Sequence, residues 1–276
     1  ISNEIIERWL QESKIIVDII WIVDNSGSMM QFQNLLGLNM ADFMTVFLSY
    51  SPDFQMAFIT TDSPIFVAAP IDGQTHSPID NAIATIDSIG VGGSGWEKGL
   101  EMLEDCMLSS ECTNWMRPDA KLIAIFLSDE PDHSNRTPIS FINSFDALKP
   151  GMFVPFAIIG DPPQGCPSQT GWNTQAGWGY YDVVQHYGSQ WFSICDEDWG
   201  AQLESLAQTI SVKTIFELGS ADPHIDTFRV WINGQLMESG WSYDESINSV
   251  VFEFDDAPEP GDTIEIGYSS WGCGEE

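Results

Sequence analysis

Basic residues are scarce in this sequence. It has nine Lys and Arg residues against 41 Asp and Glu residues, which gives a formal net charge of -32. Phosphate backbones and anionic lipid surfaces would repel such a chain, so we expect neither nucleic acid nor an anionic membrane as a partner. Long apolar runs are also missing, since Asp18 interrupts the longest one, and we expect no direct membrane insertion.

The sequence also lacks the motifs of several enzyme classes. It contains no Walker A run, no H-E-x-x-H pair and no G-x-S-x-G elbow. The four histidines are scattered and suggest no zinc cluster. We therefore expect a binding protein and not an enzyme. The alternative is a metal-assisted hydrolase, for which His133 would be the candidate general base.

One apolar run ends in a polar phrase that could hold a cation. Residues 15–23 are almost continuously apolar, which is typical of a strand buried on both faces of a parallel sheet. Asp24, Ser26 and Ser28 follow at a spacing of two, with Gly27 between the serines. A tight turn would bring their oxygens together, and such ligands suit a hard cation like Mg²⁺. The alternative is a helix start with Asp24 or Ser26 as N-cap.

This phrase resembles the metal-ion-dependent adhesion site of von Willebrand factor A domains, the family that includes the integrin inserted domains. The family completes its site with a Thr from a later loop and an Asp at the end of a later strand. Ser94, in the glycine-rich stretch 92–100, stands where Thr is usual, and Asp129 ends the apolar run 122–128. The resemblance therefore implies a metal site formed by Asp24, Ser26, Ser28, Ser94 and Asp129.

The ligand types indicate how such a site would work. Hydroxyls are neutral, so a cation held by three of them and two carboxylates keeps positive character. The expected cation is Mg²⁺ or Mn²⁺, with Ca²⁺ as an alternative. In the family, an acidic group of the partner takes the open coordination position. The resemblance thus implies a protein or glycan ligand that offers a carboxylate.

Several residues near the expected cation are candidates for partner contacts. The phrase from residue 117 to residue 134 is similar to one in bacterial secreted A-domain proteins, where R-P-D-A precedes a strand and S-D-E-x-D. For Asp132 and His133 the alternative is a solvated turn. The candidate rim consists of Trp96, Glu130, Asp132, His133, Trp172 and Trp178.

The alternation of apolar runs and amphipathic segments predicts an α/β fold. We expect a doubly wound, mostly parallel six-stranded sheet flanked by helices, followed by a small C-terminal antiparallel β module. Strands of the large sheet are expected at 15–23, 54–60, 64–69, 122–129, 152–159 and 191–195, the second and third as an edge hairpin. Helices are expected at 29–50, 77–88, 95–108, 141–148 and 198–211, with a loop at 109–120.

A long insertion, residues 161–190, is rich in Gly, Gln and aromatic residues. Loops at the carboxyl ends of parallel strands lie on the ligand face of a doubly wound sheet, so this insertion should stand beside the cation. It could select the partner or form a packed lid. Cys166 and Cys195 should meet at the same edge, where a disulfide is geometrically sensible and would imply an oxidising compartment. Cys106 and Cys112 are a candidate second pair.

The expected domain plan has four parts. It consists of an N-terminal extension at 1–14, an A-type domain at 15–212 that contains the insertion, the β module at 213–270 and a tail at 271–276. The extension could be a helix or a continuation of the first strand. Strands of the β module are expected at 214–216, 228–232, 250–254 and 263–266.

We interpret the chain as a metal-dependent adhesion module of an extracellular, cell-surface or periplasmic protein. Because it does not begin with Met, we expect a fragment of a longer protein. The alternative function is a structural subunit that uses the same metal site against a neighbouring subunit.

Overall fold

The computed structural model contains two compact units. One is formed by Ile16–Ser205, and the other by Ile1–Ile15 together with Leu206–Glu276. The sequence placed this boundary at residue 212. Trp172 and the fifth cysteine, Cys273, lie outside the described residues. The structure describes residues 2–11, 15–50, 52–167, 174–211, 214–220, 223–245, 247–253 and 256–271.

The secondary structure contains most of the predicted elements and several that were not predicted. The strands are β1 Ser2–Leu10, β2 Ile16–Val23, β3 Asp53–Thr60, β4 Ile71–Asp72, β5 Lys121–Ser128, β6 Phe153–Ile159, β7 Trp191–Ser193, β8 Ile215–Glu217, β9 Arg229–Ile232, β10 Gln235–Met237, β11 Trp241–Asp244, β12 Ser249–Phe252 and β13 Thr263–Trp271. The helices are α1 Met30–Ser49, α2 Pro78–Ile89, α3 Gly99–Leu108, α4 Ser110–Trp115, α5 Pro138–Leu148, α6 Tyr180–His186 and α7 Trp199–Ser211, with 3-10 turns at Gly27–Met29 and Ile225–Thr227.

The larger unit is built on a six-stranded sheet of order β4-β3-β2-β5-β6-β7. All neighbouring pairs are parallel except β3 and β4. Helices cover both faces of β2: Trp21 contacts Phe43 of α1, whereas Ile20 and Ile22 belong to a core with Leu100 of α3 and other residues. This arrangement confirms the predicted doubly wound α/β fold and explains why β2 is apolar on both sides.

Two local predictions for this unit were wrong. The edge strand expected at 64–69 is absent among the described residues, and its place is taken by the short β4. Ser63 still pairs with Thr60, but Pro64 has no N–H to continue the ladder. The expected loop at 109–120 contains α4, because the Ser109 side chain accepts the backbone N–H of Cys112 and caps a helical turn.

The smaller unit contains a four-stranded sheet, β1-β13-β9-β10, and a three-stranded sheet, β11-β12-β8. Its core includes Phe216, Val230, Phe252 and Tyr268. The first residues of the chain, which the sequence left undecided, form β1 and pair antiparallel with β13 along its whole length. Strands β10 and β11 were not predicted. The described residues contain no helix with the length and hydropathy of a membrane span.

A buried ion pair joins β2 to the segment before β5, at the end of the sheet opposite to the candidate metal site. Asp18 lies inside β2 and is fully buried. Arg117 donates its backbone N–H to Asp18 Oδ2 at 2.6 Å and its Nε to Oδ1 at 2.8 Å. Lys149 Nζ donates to the carbonyl oxygens of Arg117 and Ala120 at 2.5 and 2.7 Å. The R-P-D-A phrase is therefore explained by the neutralisation of a buried carboxylate.

We predict that Arg117→Met lowers the free energy of unfolding by about 3 kcal/mol or more, because it leaves the Asp18 carboxylate buried without its cation. Lys98→Met is the control, since the half-exposed pair between Lys98 and Glu101 at 3.6 Å should contribute less than about 1 kcal/mol. Urea denaturation of both variants measures the difference. Equal losses would contradict the assignment.

Candidate metal site

The candidate site begins where β2 ends. The N–H of Asp24 donates to the carbonyl oxygen of Leu127 in β5 at 2.9 Å, so the ends of the two parallel strands are side by side. The N–H of Ser26 donates to Asp24 Oδ1 at 2.8 Å, which closes a tight turn. Ser26 occupies the N-cap position of the following 3-10 turn, but its side chain makes no capping hydrogen bond. The N-cap alternative therefore leaves the Ser26 hydroxyl unexplained.

Four of the five predicted ligand residues converge in the structure. Ser26 Oγ lies 3.0 Å from Ser28 Oγ, and Ser28 Oγ donates to Asp129 Oδ1 at 3.0 Å. Asp24 Oδ2 accepts a hydrogen bond from the hydroxyl of Ser128 at 2.7 Å. Neighbouring oxygens of an octahedral Mg²⁺ shell are about 3 Å apart, given a metal–oxygen distance of about 2.1 Å. The spacing and chemistry of these side chains therefore fit a small divalent cation.

The fifth residue, Ser94, lies on a loop that is attached to the same turn. The N–H of Gly93 donates to the carbonyl oxygen of Asn25 at 2.8 Å, and the N–H of Ser94 donates to Asp62 Oδ2 at 2.6 Å. The Ser94 hydroxyl accepts the N–H of Trp96 at 3.1 Å. A hydroxyl oxygen has two lone pairs, so this bond leaves one lone pair for a cation. The structure places the loop beside the site, but it does not bond the hydroxyl to the other four residues.

The carboxylates of this edge are crowded. Burial raises the pKa of Asp24, although hydrogen bonds from Ser128 and Ser26 oppose the rise. Burial, together with the negative charge of Asp24, raises the pKa of Asp129 to about 6. Both shifts mean that the ionised forms are disfavoured as long as no cation is present. A divalent cation would relieve this repulsion.

Sequence reasoning missed one residue of the site, Glu97. Its side chain is fully buried, and its Oε2 accepts the hydroxyl of Thr61 at 2.6 Å. Burial and the charge of Asp24 raise the pKa of Glu97 to about 8. Its Oε1 has no hydrogen-bond partner in the described structure. The only signal in the sequence was an acid just before α3, which is also typical of an ordinary helix start.

The site depends on its hydroxyls as well as on its acids. The described part of the chain contains no group of three or more His, Cys, Asp or Glu side chains placed to hold a metal ion. Among the described residues, Glu97 therefore does not complete a three-carboxylate metal site with Asp24 and Asp129. The two serines of the turn supply the remaining oxygens.

The predicted rim residues have different environments. Trp96 is 67% exposed, and its ring centroid lies 4.9 Å from that of His133. His133 Nε2 is 3.7 Å from a carboxylate oxygen of Glu130. Trp178 is 41% exposed. Trp172 lies outside the described residues.

Asp132 has a structural role within the chain. It accepts the N–H of Leu100 at the start of α3 and the hydroxyl of Ser134, at 3.1 and 2.9 Å. Its own N–H donates to the carbonyl oxygen of Trp178 at 2.8 Å. These contacts cap a helix and join two loops, and a role of Asp132 at the rim stays a prediction.

The insertion is partly a packed element. Tyr180 and Val183 of α6 are fully buried in the core of the larger unit. The Cα atoms of Cys166 and Cys195 are 6.1 Å apart in a disulfide, as expected from the sequence. Cys106 forms the second disulfide with Cys112, with Cα atoms 5.5 Å apart, and this bond links α3 to α4.

Comparison with known proteins supports the fold. No family model and no curated protein gave a match. The pilus adhesin SpaC from Lactobacillus rhamnosus GG is similar over 96% of this chain, with a TM-score of 0.50 and 13% identity. A von Willebrand factor type A structure from Catenulispora acidiphila matches 98% of this chain and 66% of its own length, with a TM-score of 0.49 and 11% identity.

A third structure, proximal thread matrix protein 1 from the mussel byssus, has zinc in its metal-ion-dependent adhesion site motif. It covers 75% of this chain and 48% of its own length, with a TM-score of 0.46 and 15% identity. At such identities the similarity to SpaC shows a shared fold. The chain spans 41% of the adhesin's length.

We predict that Gly93→Ala weakens Mn²⁺ binding by about tenfold. Substitutions of residues that orient metal ligands typically weaken binding by about 10- to 100-fold, and this one should lie at the lower end. A Cβ atom at Gly93 would lie 2.5 Å from Asn25 Oδ1 and Asp62 Oδ2, so these side chains or the loop must shift, and the bond from the Ser94 N–H to Asp62 Oδ2 is disturbed. Gly95→Ala is the control, because a Cβ there meets nothing within 4 Å. Titration of free Mn²⁺ by electron paramagnetic resonance measures both affinities. Equal affinities would remove Ser94 from the site.

We also predict a pH dependence for the metal-free protein. The pKa of Glu97 is raised from 4.5 to about 8 by folding. Between these values the folded protein holds a proton that the unfolded chain has lost, so the free energy of unfolding falls as pH rises. Urea denaturation in EDTA from pH 5 to pH 8.5 measures the fall. Glu97→Gln should show a smaller fall, and an unchanged pH profile would contradict the pKa assignment.

Proposed function

We propose that this chain is a metal-dependent binding module of the adhesion type. Asp24, Ser26, Ser28, Ser94 and Asp129 would hold Mg²⁺ or Mn²⁺ directly or through water, with Ca²⁺ as the alternative. The observation that carries the proposal is the convergence of two serine hydroxyls and two buried carboxyl groups from separate strand ends.

The ligand types favour a partner that brings a carboxylate. A bound cation would supply an electrophilic position for one oxygen of the partner. Ser26 and Ser28 contribute no charge, so the cation keeps attraction for an external anion. The whole chain has a net charge of -32 and repels acidic molecules over long distances. Recognition of an acidic protein or glycan would therefore concentrate at this one position.

The surroundings of the site suit recognition. The site lies at the carboxyl ends of parallel strands, where doubly wound proteins bind their ligands. Trp96 stands two residues after Ser94 and exposes 67% of its surface, and His133 and Glu130 extend the same rim. An exposed Trp beside a carboxylate position can contact either an apolar side chain or a sugar ring.

We place the protein in an oxidising environment, at the cell surface, in the extracellular space or in the periplasm. The two disulfides of the larger unit support this location. SpaC, a pilus adhesin, shares the fold. We propose binding without catalysis, because the candidate base His133 lies against Trp96 and beside Glu130 at the rim.

We predict that Asp24→Ala weakens Mn²⁺ binding by about 100-fold or more, since it removes a ligand and changes around ligands alone cost about 10- to 100-fold. Asp87→Ala is the control, because Asp87 is an exposed residue of α2. A crystal grown with Mn²⁺ should show anomalous signal between the Asp24 and Asp129 side chains. Signal at another position would overturn the assignment of the site.

The function itself is tested on arrays of acidic peptides and uronic-acid oligosaccharides. The protein should bind a subset of carboxylate-bearing probes in Mg²⁺, and both EDTA and Asp24→Ala should abolish that binding. The amide or ester forms of the same probes are the matched controls. If binding survives both chelation and Asp24→Ala, the proposal is wrong.

A further inference from the structure

The start of the insertion is tied to the segment after β7 by a disulfide and to Thr174 by hydrogen bonds. The disulfide between Cys166 and Cys195 joins the start of the insertion to the segment after β7. Thr174 is buried beside it: its hydroxyl accepts the N–H of Cys166 at 3.1 Å and donates to the carbonyl oxygen of Cys166 at 2.8 Å. The N–H of Thr174 donates to the same carbonyl oxygen at 3.0 Å. Cys166 and Thr174 are therefore fixed as one unit.

This unit is bonded to the candidate metal site at the next residue. The N–H of Gln175 donates to the carbonyl oxygen of Asp129 at 2.9 Å. The backbone segments pack closely here, because a Cβ atom added at Gly160 or Gly165 would meet the carbonyl oxygen of Gln175 or Thr174 at 1.9 or 2.0 Å. A continuous path of covalent and hydrogen bonds thus runs from the disulfide to the backbone of Asp129.

The hydrogen bond from Gln175 restrains a part of Asp129 that β5 does not hold. Asp129 follows the last residue of β5, so the strand ladder does not hold its carbonyl oxygen. Its side chain accepts a hydrogen bond from Ser28, which is itself a candidate ligand. A hydrogen bond to the carbonyl oxygen of Asp129 restricts rotation of its backbone and hence the direction of its carboxylate.

We propose that the Cys166–Cys195 disulfide and Thr174 are positioning groups that set the cation affinity of the site through Asp129. The inference rests on the proposed metal site. It gives the insertion a role in cation affinity that is separate from partner selection. The disulfide acts from outside the ligand set, by restricting where the Asp129 carboxylate points. Loss of the disulfide or of the Thr174 hydroxyl should weaken cation binding even while all five ligand residues are present.

The test measures Mn²⁺ affinity by electron paramagnetic resonance on the full chain, without any partner. Cys166→Ser combined with Cys195→Ser should weaken binding by about tenfold, the range found for groups that orient metal ligands. Cys106→Ser combined with Cys112→Ser removes the other disulfide and should leave the affinity within about twofold. Circular dichroism identifies a temperature at which all of these variants are folded, and the affinities are compared at that temperature.

A second pair of variants keeps the disulfide intact. Thr174→Val retains the shape of the side chain but loses the hydroxyl, and it should weaken Mn²⁺ binding. Thr174→Ser keeps the hydroxyl and should restore the affinity, a rescue that a general packing role would not give. This pair decides the question if the cysteine variants do not fold.

The outcomes separate the two proposals. The positioning role alone is overturned if the wild-type protein binds Mn²⁺ and the folded variants bind it with equal affinity. These variants are Cys166→Ser/Cys195→Ser and Thr174→Val. A wild-type protein that binds no Mn²⁺, or binds it equally after Asp24→Ala, overturns the proposed function and the positioning role with it.

Discussion

The parallel pairing of β2 with β5 is the constraint on which the site depends. Val23 is opposite Leu127 in the register, and the N–H of Asp24 continues the pairing to the Leu127 carbonyl oxygen. When two neighbouring parallel strands end at the same register position, the residues that follow them lie at the same edge of the sheet. Asp24 and Asp129, far apart in the sequence, are brought together for this reason. The turn from Asp24 to Ser28 then adds two hydroxyls, because it reverses the chain into α1 within a few residues.

Much of this could be predicted from the sequence because its signals are local. A run of apolar residues that ends in a carboxylate occurs twice, before Asp24 and before Asp129, and parallel topology is enough to place the two ends together. The disulfide between Cys166 and Cys195 followed from the same reasoning about strand ends. Glu97 could not be identified in this way. An acidic side chain just before a helix can be buried or exposed, depending on the residues that surround it in the fold. For Glu97 these are Thr61 and Asp24, and no sequence pattern predicts either contact.

Other features that the sequence did not identify have similar physical causes. Strand β1 pairs with β13, about the whole chain length away, and no local pattern specifies such a partner. Its alternating burial fits a strand, yet the same few apolar residues also fit one face of a helix. The edge strand predicted at 64–69 rested on the apolar residues after Pro64, whereas Pro64 lacks the N–H that a ladder needs. Asp132 was predicted as a rim residue from its neighbours in the sequence, and its hydrogen bond to the start of α3 had no sequence signal.

Two groups of buried carboxylates in the larger unit are neutralised differently, and the difference favours a cation site. At one end of the sheet, burial raises the pKa of Asp18, but Arg117 is an internal cation that opposes the rise. At the other end, Asp24, Glu97 and Asp129 have raised pKa values, and hydroxyls are their main described donors.

Four of the five Lys and Arg side chains of this unit contact groups other than Asp24, Glu97 and Asp129. Arg117 binds Asp18 and Asp53, Lys149 binds backbone carbonyl oxygens, Arg136 pairs with Glu104, Lys98 pairs with Glu101, and Lys121 begins β5 at the opposite edge. A folded chain that keeps these carboxylates ionised at neutral pH therefore needs positive charge from outside. Hydroxyls about 3 Å apart beside two carboxyl groups are the arrangement in which a divalent cation can supply it.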